Sequence, residues 1–141
     1  MRLVLDSNVV ASAILWGGSP RLLLQAARET RIALYTSTPI LAELSDILAR
    51  RKFARKIAAS LLTIEQIVDG YMQLAALVRP SALAGIAPDA DDDVVIATAL
   101  AAKADLLVTG YMALLSVGAY LGVRFARVME TIQLIESGKK S

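Results

Sequence analysis

Short β-rich runs alternate with longer helical patterns along the chain, and this alternation restricts the fold more than any other feature. The runs are Arg2 to Asp6, Ile32 to Thr36, Leu77 to Arg79 and Leu106 to Thr109, with a weaker fifth at Val123 to Ala126. Strands separated by helix-length segments pair in parallel through crossover helices, because a tight hairpin needs only a few intervening residues. The expected fold class is therefore α/β, with a central parallel sheet of four to five strands. Composition agrees: 56% of residues are apolar but only 5% aromatic, so Ala, Leu, Val and Ile must build the interior, which favours helices packed on a sheet. At 141 residues the chain suffices for one domain with a substantial core, and 1–141 is expected to form a single domain.

The helical segments carry recognisable ends. Val9 to Leu15 reads as a short helix that stops at Trp16, Gly17 and Gly18, and Pro20 opens the next. Thr38 reads as an N-cap with Pro39 at the first helical position, launching a helix to about Arg50. Phe53 to Ala76 is helical with a break near Thr63; as the segment least tied to the sheet, it suits a clip or an interface. Ser81 to Pro88 reads as a loop, Asp93 to Lys103 and Val128 to Ser137 as helices, and Gly138 to Ser141 as a frayed tail. Apolar stretches such as Val94 to Ala102 break off short of the ~18 residues that a membrane span needs. With no apolar leader and no cysteine, the expectation is a soluble, cytoplasmic protein that engages no membrane.

Asp6 ends the first run, and a carboxylate at the carboxyl end of a strand reaches the sheet edge where open α/β folds hold ligands. Glu43 and the run Asp89, Asp91, Asp92, Asp93 fall where the same sheet can bring them beside it. Three separated acid clusters in a chain without histidine or cysteine point to a hard metal ion held by oxygen. Each acid also has a plainer reading. Asp6 can cap the Val9 helix, although Ser7 can do so equally. Glu43 can face solvent, yet it flanks the buried stripe of Ile40, Leu41, Leu44, Ile47 and Leu48. Capping a helix needs one aspartate, and the adjacent surplus repels itself unless a cation neutralises it. Asp92 and Asp93 are placed nearest the metal, with Asp89 and Asp91 farther out or on the surface. Ser7, Asn8 and Thr109 are candidates for hydrogen bonds to bound waters or a phosphate oxygen.

The net charge of +2 is too mild to identify a partner, but Arg50, Arg51, Lys52, Arg55 and Lys56 crowd together around Phe53. Such a stretch is either a solvated helix face or a guide for a nucleic-acid backbone. No phosphate-binding loop is present, since Trp16-Gly17-Gly18-Ser19 lacks both the lysine and the strand-to-helix context.

Several segments together resemble the PIN-domain family. They are Asp6-Ser7-Asn8-Val9 after the first strand, Glu43 in the helix after the second, Asp89 to Asp93 leading into Val95-Ile96-Ala97-Thr98-Ala99, and Lys103-Ala104-Asp105-Leu106-Leu107-Val108-Thr109-Gly110. The likeness runs from Arg2 to about Leu115 and is specifically to the bacterial VapC-like toxins of toxin–antitoxin systems. It implies a three-layer α/β/α fold, Mg²⁺ or Mn²⁺, and endonucleolytic cleavage of RNA. It also implies a small antitoxin that masks the acidic cleft, and self-association into a homodimer through helices such as Phe53 to Ala76. Asp6 and Glu43 carry over as the first two acids, and either Asp92 or Asp93 as the third. One departure stands out: where relatives usually carry an aspartate just after the threonine-glycine pair and another two residues later, this chain has Tyr111 and Ala113. Either three carboxylates suffice, with Asp89, Asp91 or Asp105 compensating, or the protein is a weak nuclease or a silent binding protein on the same fold. A phosphoryl-transfer hydrolase or signal receiver fits less well, because Asn8 stands where a second acid would be needed.

Overall fold

The computed structural model describes residues 1–80 and 90–138, and side chains only from Asp92 onward in the second span. The expected loop at Ser81 to Pro88, Asp89, the Asp91 side chain and the last three residues of the tail lie outside what is described. Among the described residues, six strands form one sheet: β1 (Arg2–Leu5), β2 (Ala33–Thr36), β3 (Ala75–Leu77), β4 (Leu106–Val108), β5 (Ala119–Tyr120) and β6 (Val123–Ala126). Their order is β3-β2-β1-β4-β6-β5, with every neighbouring pair parallel except β5 and β6.

The helices are α1 (Ser7–Leu15), α2 (Gly18–Arg28), α3 (Thr38–Leu48), α4 (Ala54–Ala59), α5 (Ile64–Met72), α6 (Ala90–Ala101), α7 (Met112–Val117) and α8 (Val128–Gly138), with a 3-10 turn at Arg51–Phe53. Side chains alternate across β1, so Leu3 and Leu5 enter one apolar layer and Val4 the other. Leu3 and Leu5 pack with residues of α1, α2, α3, α5 and α8. Val4 joins Ile96 and Ala99 of α6, Leu114 of α7 and Phe125 of β6. The result is the expected three-layer α/β/α arrangement around a mostly parallel sheet.

Several boundaries differ from the expectation for identifiable reasons. The N-cap of α3 is Ser37, not Thr38, and its hydroxyl makes no capping bond. Instead it meets the Thr98 hydroxyl at 2.8 Å in the interior, pinning the β2–α3 turn to α6. The break near Thr63 is a capping box, in which the Thr63 hydroxyl accepts the Gln66 N–H and Gln66 accepts the Thr63 N–H. The same segment does reach the sheet: its end, Ala75–Leu77, is edge strand β3, two residues before the expected run. An additional strand, β5, pairs with β6 through a two-residue turn in which Leu121 (φ 46°) and Gly122 (φ 88°) are both left-handed. Hairpins of this kind usually announce themselves by Asn-Gly or Asp-Gly, and the leucine hides the signal.

Candidate metal centre

The chain leaves β1 toward β2 and β3, and leaves β4 toward β6, so the connections part between two adjacent strands. A crevice forms outside the carboxyl ends of strands at such a point. Asp6 follows β1 there and Thr109 follows β4. Their backbones are anchored: the Asp6 N–H donates to the Val108 carbonyl at 3.0 Å and the Thr109 N–H to the Ala126 carbonyl at 2.9 Å.

Asp6 is 5% exposed. Its Oδ1 accepts the Val9 N–H at 2.9 Å, which makes it the N-cap of α1, and its Oδ2 accepts the Thr109 hydroxyl. Thr109 Oγ1 in turn accepts the Tyr111 N–H at 3.0 Å. Capping therefore uses only one oxygen of the side chain, and Thr109 holds the other. Burial pushes the Asp6 carboxyl above its ordinary value, outweighing the Thr109 hydroxyl and the Val9 and Asn8 amides that favour the anion. None of the ion pairs among the described residues includes Asp6. A buried carboxylate without a cationic partner is the kind of group that a bound cation would compensate.

An open pocket of about 550 Å³ brings Asp6 together with Glu43 of α3 and Asp92 of α6, carboxylates from three distant segments. Ser7 and Asn8 also line it, as do Arg50, Gly110 and Tyr111. Glu43 and Asp92 are half-buried. The Ser37–Thr98 contact ties together the two elements that carry them. Asp93 is 5% exposed and does not line this pocket. Successive helical residues point about 100° apart at 3.6 residues per turn, which accounts for Asp92 lining the pocket while Asp93 turns into the interior. Among the described residues, no group of three acids stands close enough to enclose an ion directly. The donor set is nonetheless chemically suited to Mg²⁺ or Mn²⁺. The oxygens are hard, and Mg²⁺ commonly binds one or two carboxylates while keeping several waters.

The basic cluster divides. Arg50 lines the acidic pocket, while Arg51, Lys52 and Arg55 are exposed on the 3-10 turn and α4 and do not line it. Asp105 lies at the opposite edge of the sheet, where its carboxylate accepts the Arg2 N–H at 2.7 Å, so it does not compensate for a missing acid. Tyr111, which the sequence presents only as a lost aspartate, is the N-cap residue of α7 and lines the pocket. Its position directly after Thr109-Gly110 was the available signal, since residues following a strand's carboxyl end reach the ligand edge.

No curated protein matches the sequence. Among solved structures, the fold is similar to that of VapBC2 from Rickettsia felis bound to a DNA fragment from its promoter. The TM-score is 0.60 at 17% identity, covering 90% of this chain and 98% of that one. At that identity the likeness is one of fold. The sequence matches the PIN domain family model over residues 2–112, a span that includes Asp6, Glu43, Asp92 and the Thr109-Gly110-Tyr111 corner. On that match, with the carboxyl-edge pocket inside it, the chain belongs to the PIN domain family.

Proposed function

We propose that the protein, with residues 1–141 acting as one nuclease domain, is a metal-dependent endoribonuclease and the toxin of a toxin–antitoxin pair. The observation that carries this reading is the convergence of Asp6, Glu43 and Asp92 on one pocket at the carboxyl edge of the sheet. These three carboxylates would hold Mg²⁺ or Mn²⁺, and Asp93, buried on α6, lies outside the pocket lining. When bound, the ion supplies an activated water and offsets charge on the scissile phosphate. Thr109 orients the Asp6 carboxylate through its hydroxyl, and Asn8 and Ser7 donate hydrogen bonds to waters or to a phosphate oxygen. Arg50 holds the substrate phosphate, and Arg51, Lys52 and Arg55 attract the RNA backbone, so binding weakens with salt.

The fold likeness to a protein solved as VapBC2 with promoter DNA supports an antitoxin as partner, covering the acidic pocket. Leu61, Leu62 and Met72 expose apolar surface around α4 and α5, which supports self-association there. The test is cleavage of RNA by the purified protein in Mn²⁺. Chelation should stop cleavage, and Asp6→Asn should slow it by ~10²-fold or more, the scale of losing one charge-stabilising group. Equal rates for the two proteins reject the assignment. A second reading rests on Tyr111 in the pocket wall: a silent PIN-fold binding protein, which would show no Mn²⁺-dependent cleavage at any concentration.

A further inference from the structure

Trp16 is the chain's sole tryptophan, and it is 63% exposed. It is also firmly held. As the C-cap of α1 it donates its N–H to the Ser12 carbonyl at 2.9 Å. Gly17 follows at φ +75°, and Arg21 Nε donates to the Ala13 carbonyl at 3.2 Å. The same guanidinium lies 3.2 Å from where a Gly17 Cβ would be, so this corner favours glycine both by its positive φ and by space. The Phe53 ring packs against the indole in a T-shaped contact, centroids 6.1 Å apart and planes at 76°, while the indole keeps 63% of its residue's surface exposed.

Cations surround this pair of rings. Lys56 Nζ is 4.2 Å from the Trp16 ring centroid and Lys52 Nζ is 5.1 Å from that of Phe53. Arg50, which lines the acidic pocket, begins the 3-10 turn, and the Phe53 N–H donates to its carbonyl at 2.9 Å. Through this turn Arg50, at the pocket, is joined to Phe53 and so to Trp16. Helix α1 runs the same way, from its cap Asp6 to its cap Trp16, over ~15 Å at 1.5 Å per residue, or about four nucleotides at the stacked spacing of ~3.4 Å.

We propose that Trp16 is a stacking platform for an unpaired base of the substrate strand where it crosses the end of α1. The inference rests on the ribonuclease reading and assigns this chain's own indole as a substrate-positioning residue. An indole left 63% exposed, with Lys56 over one side of the ring and Lys52 over the neighbouring Phe53, offers ring surface for a base and charges for the adjoining phosphates, the pairing used by proteins that bind single strands with little regard to sequence. Bases inside a duplex are stacked on one another and cannot reach such a face. Trp16, Phe53, Lys52 and Lys56 bring no amide side chain to read base edges, so the contact favours unpaired RNA over any particular sequence.

Because Trp16 alone supplies the indole fluorescence, it reports on its own occupancy. The protein in chelator, where cleavage is halted, is titrated with oligouridylate and separately with a blunt RNA duplex. Oligouridylate should quench the emission to saturation, with the same midpoint as polarisation of a labelled strand, and the duplex should leave emission unchanged. Trp16→Ala should weaken oligouridylate binding about tenfold and spare duplex binding, with Trp16→Phe recovering part of the loss. A strand that binds without quenching, or an unchanged affinity in Trp16→Ala, overturns the platform; Mn²⁺-dependent cleavage in the same preparation would leave the ribonuclease reading standing. Emission that responds to a protein partner but not to RNA also overturns it, and loss of both RNA binding and cleavage ends both readings.

Discussion

Asp6 and Asp105 stand at opposite ends of neighbouring strands, and their surroundings differ as a candidate site carboxylate differs from a scaffold one. Asp105 precedes β4 at the amino edge, is exposed, and accepts the Arg2 N–H while its own N–H donates to the Arg2 carbonyl at 2.7 Å. It ties two strands together from the outside. Asp6 follows β1 at the carboxyl edge, is buried, and is held by Val9 and Thr109 without an ion pair among the described residues. Its carboxyl is pushed upward by lost solvation. A scaffold carboxylate is satisfied where it lies; a site carboxylate is kept in a place that disfavours its charge until something arrives to share it.

Exchanging the two residues should break this comparison most visibly in activity. Asp6→Asn should lower Mn²⁺-dependent cleavage by ~10²-fold or more, whereas Asp105→Asn should leave the rate within about twofold. Equal losses would mean that the two edges are not distinct. Next in size, Tyr111→Asp places a fourth acid on the pocket at an N-cap position that favours aspartate. Isothermal titration should show Mn²⁺ bound about tenfold tighter, and no tightening would show that this corner does not face the ion.

Smaller effects fall on stability. Asp105→Ala removes the bond to Arg2 and should cost about 1 kcal/mol, a fall of a few degrees in Tm, since one hydrogen bond to a charged group contributes on that scale. An unchanged melt would discount the tie. For Asp6 the sign is opposite. Its folded-state value is raised above 3.8, so its contribution favours the fold below that value and is lost as pH rises through the folded-state value. In chelator, wild type should lose stability relative to Asp6→Asn as pH climbs above 3.8, and added Mg²⁺ should narrow the gap for wild type alone. Parallel melting curves across pH would contradict a desolvated Asp6.

The architecture was legible because its signals are local. The alternation of short β-rich runs with helical stretches dictates a parallel sheet, and Asp6 at a strand end identifies the edge that matters. Where local signals mislead, long-range contacts are responsible. Ser37 serves Thr98 across the interior rather than its own helix, β3 arises because Ala75–Leu77 reaches β2, and the β5–β6 turn places a leucine where asparagine is expected.

Residue order by itself determined the parallel core of the sheet and which acids are available, because periodicity and strand ends are properties of adjacent residues. Tertiary structure alone decided that Asp92 rather than Asp93 lines the pocket, that Arg50 leaves its basic neighbours to join the acids, and that Trp16 ends beside Phe53 and Lys56. Each of these depends on helix rotation and on packing between segments far apart in the chain. A shift of one residue turns a helical side chain by about 100°, and nothing in its immediate neighbours sets that angle.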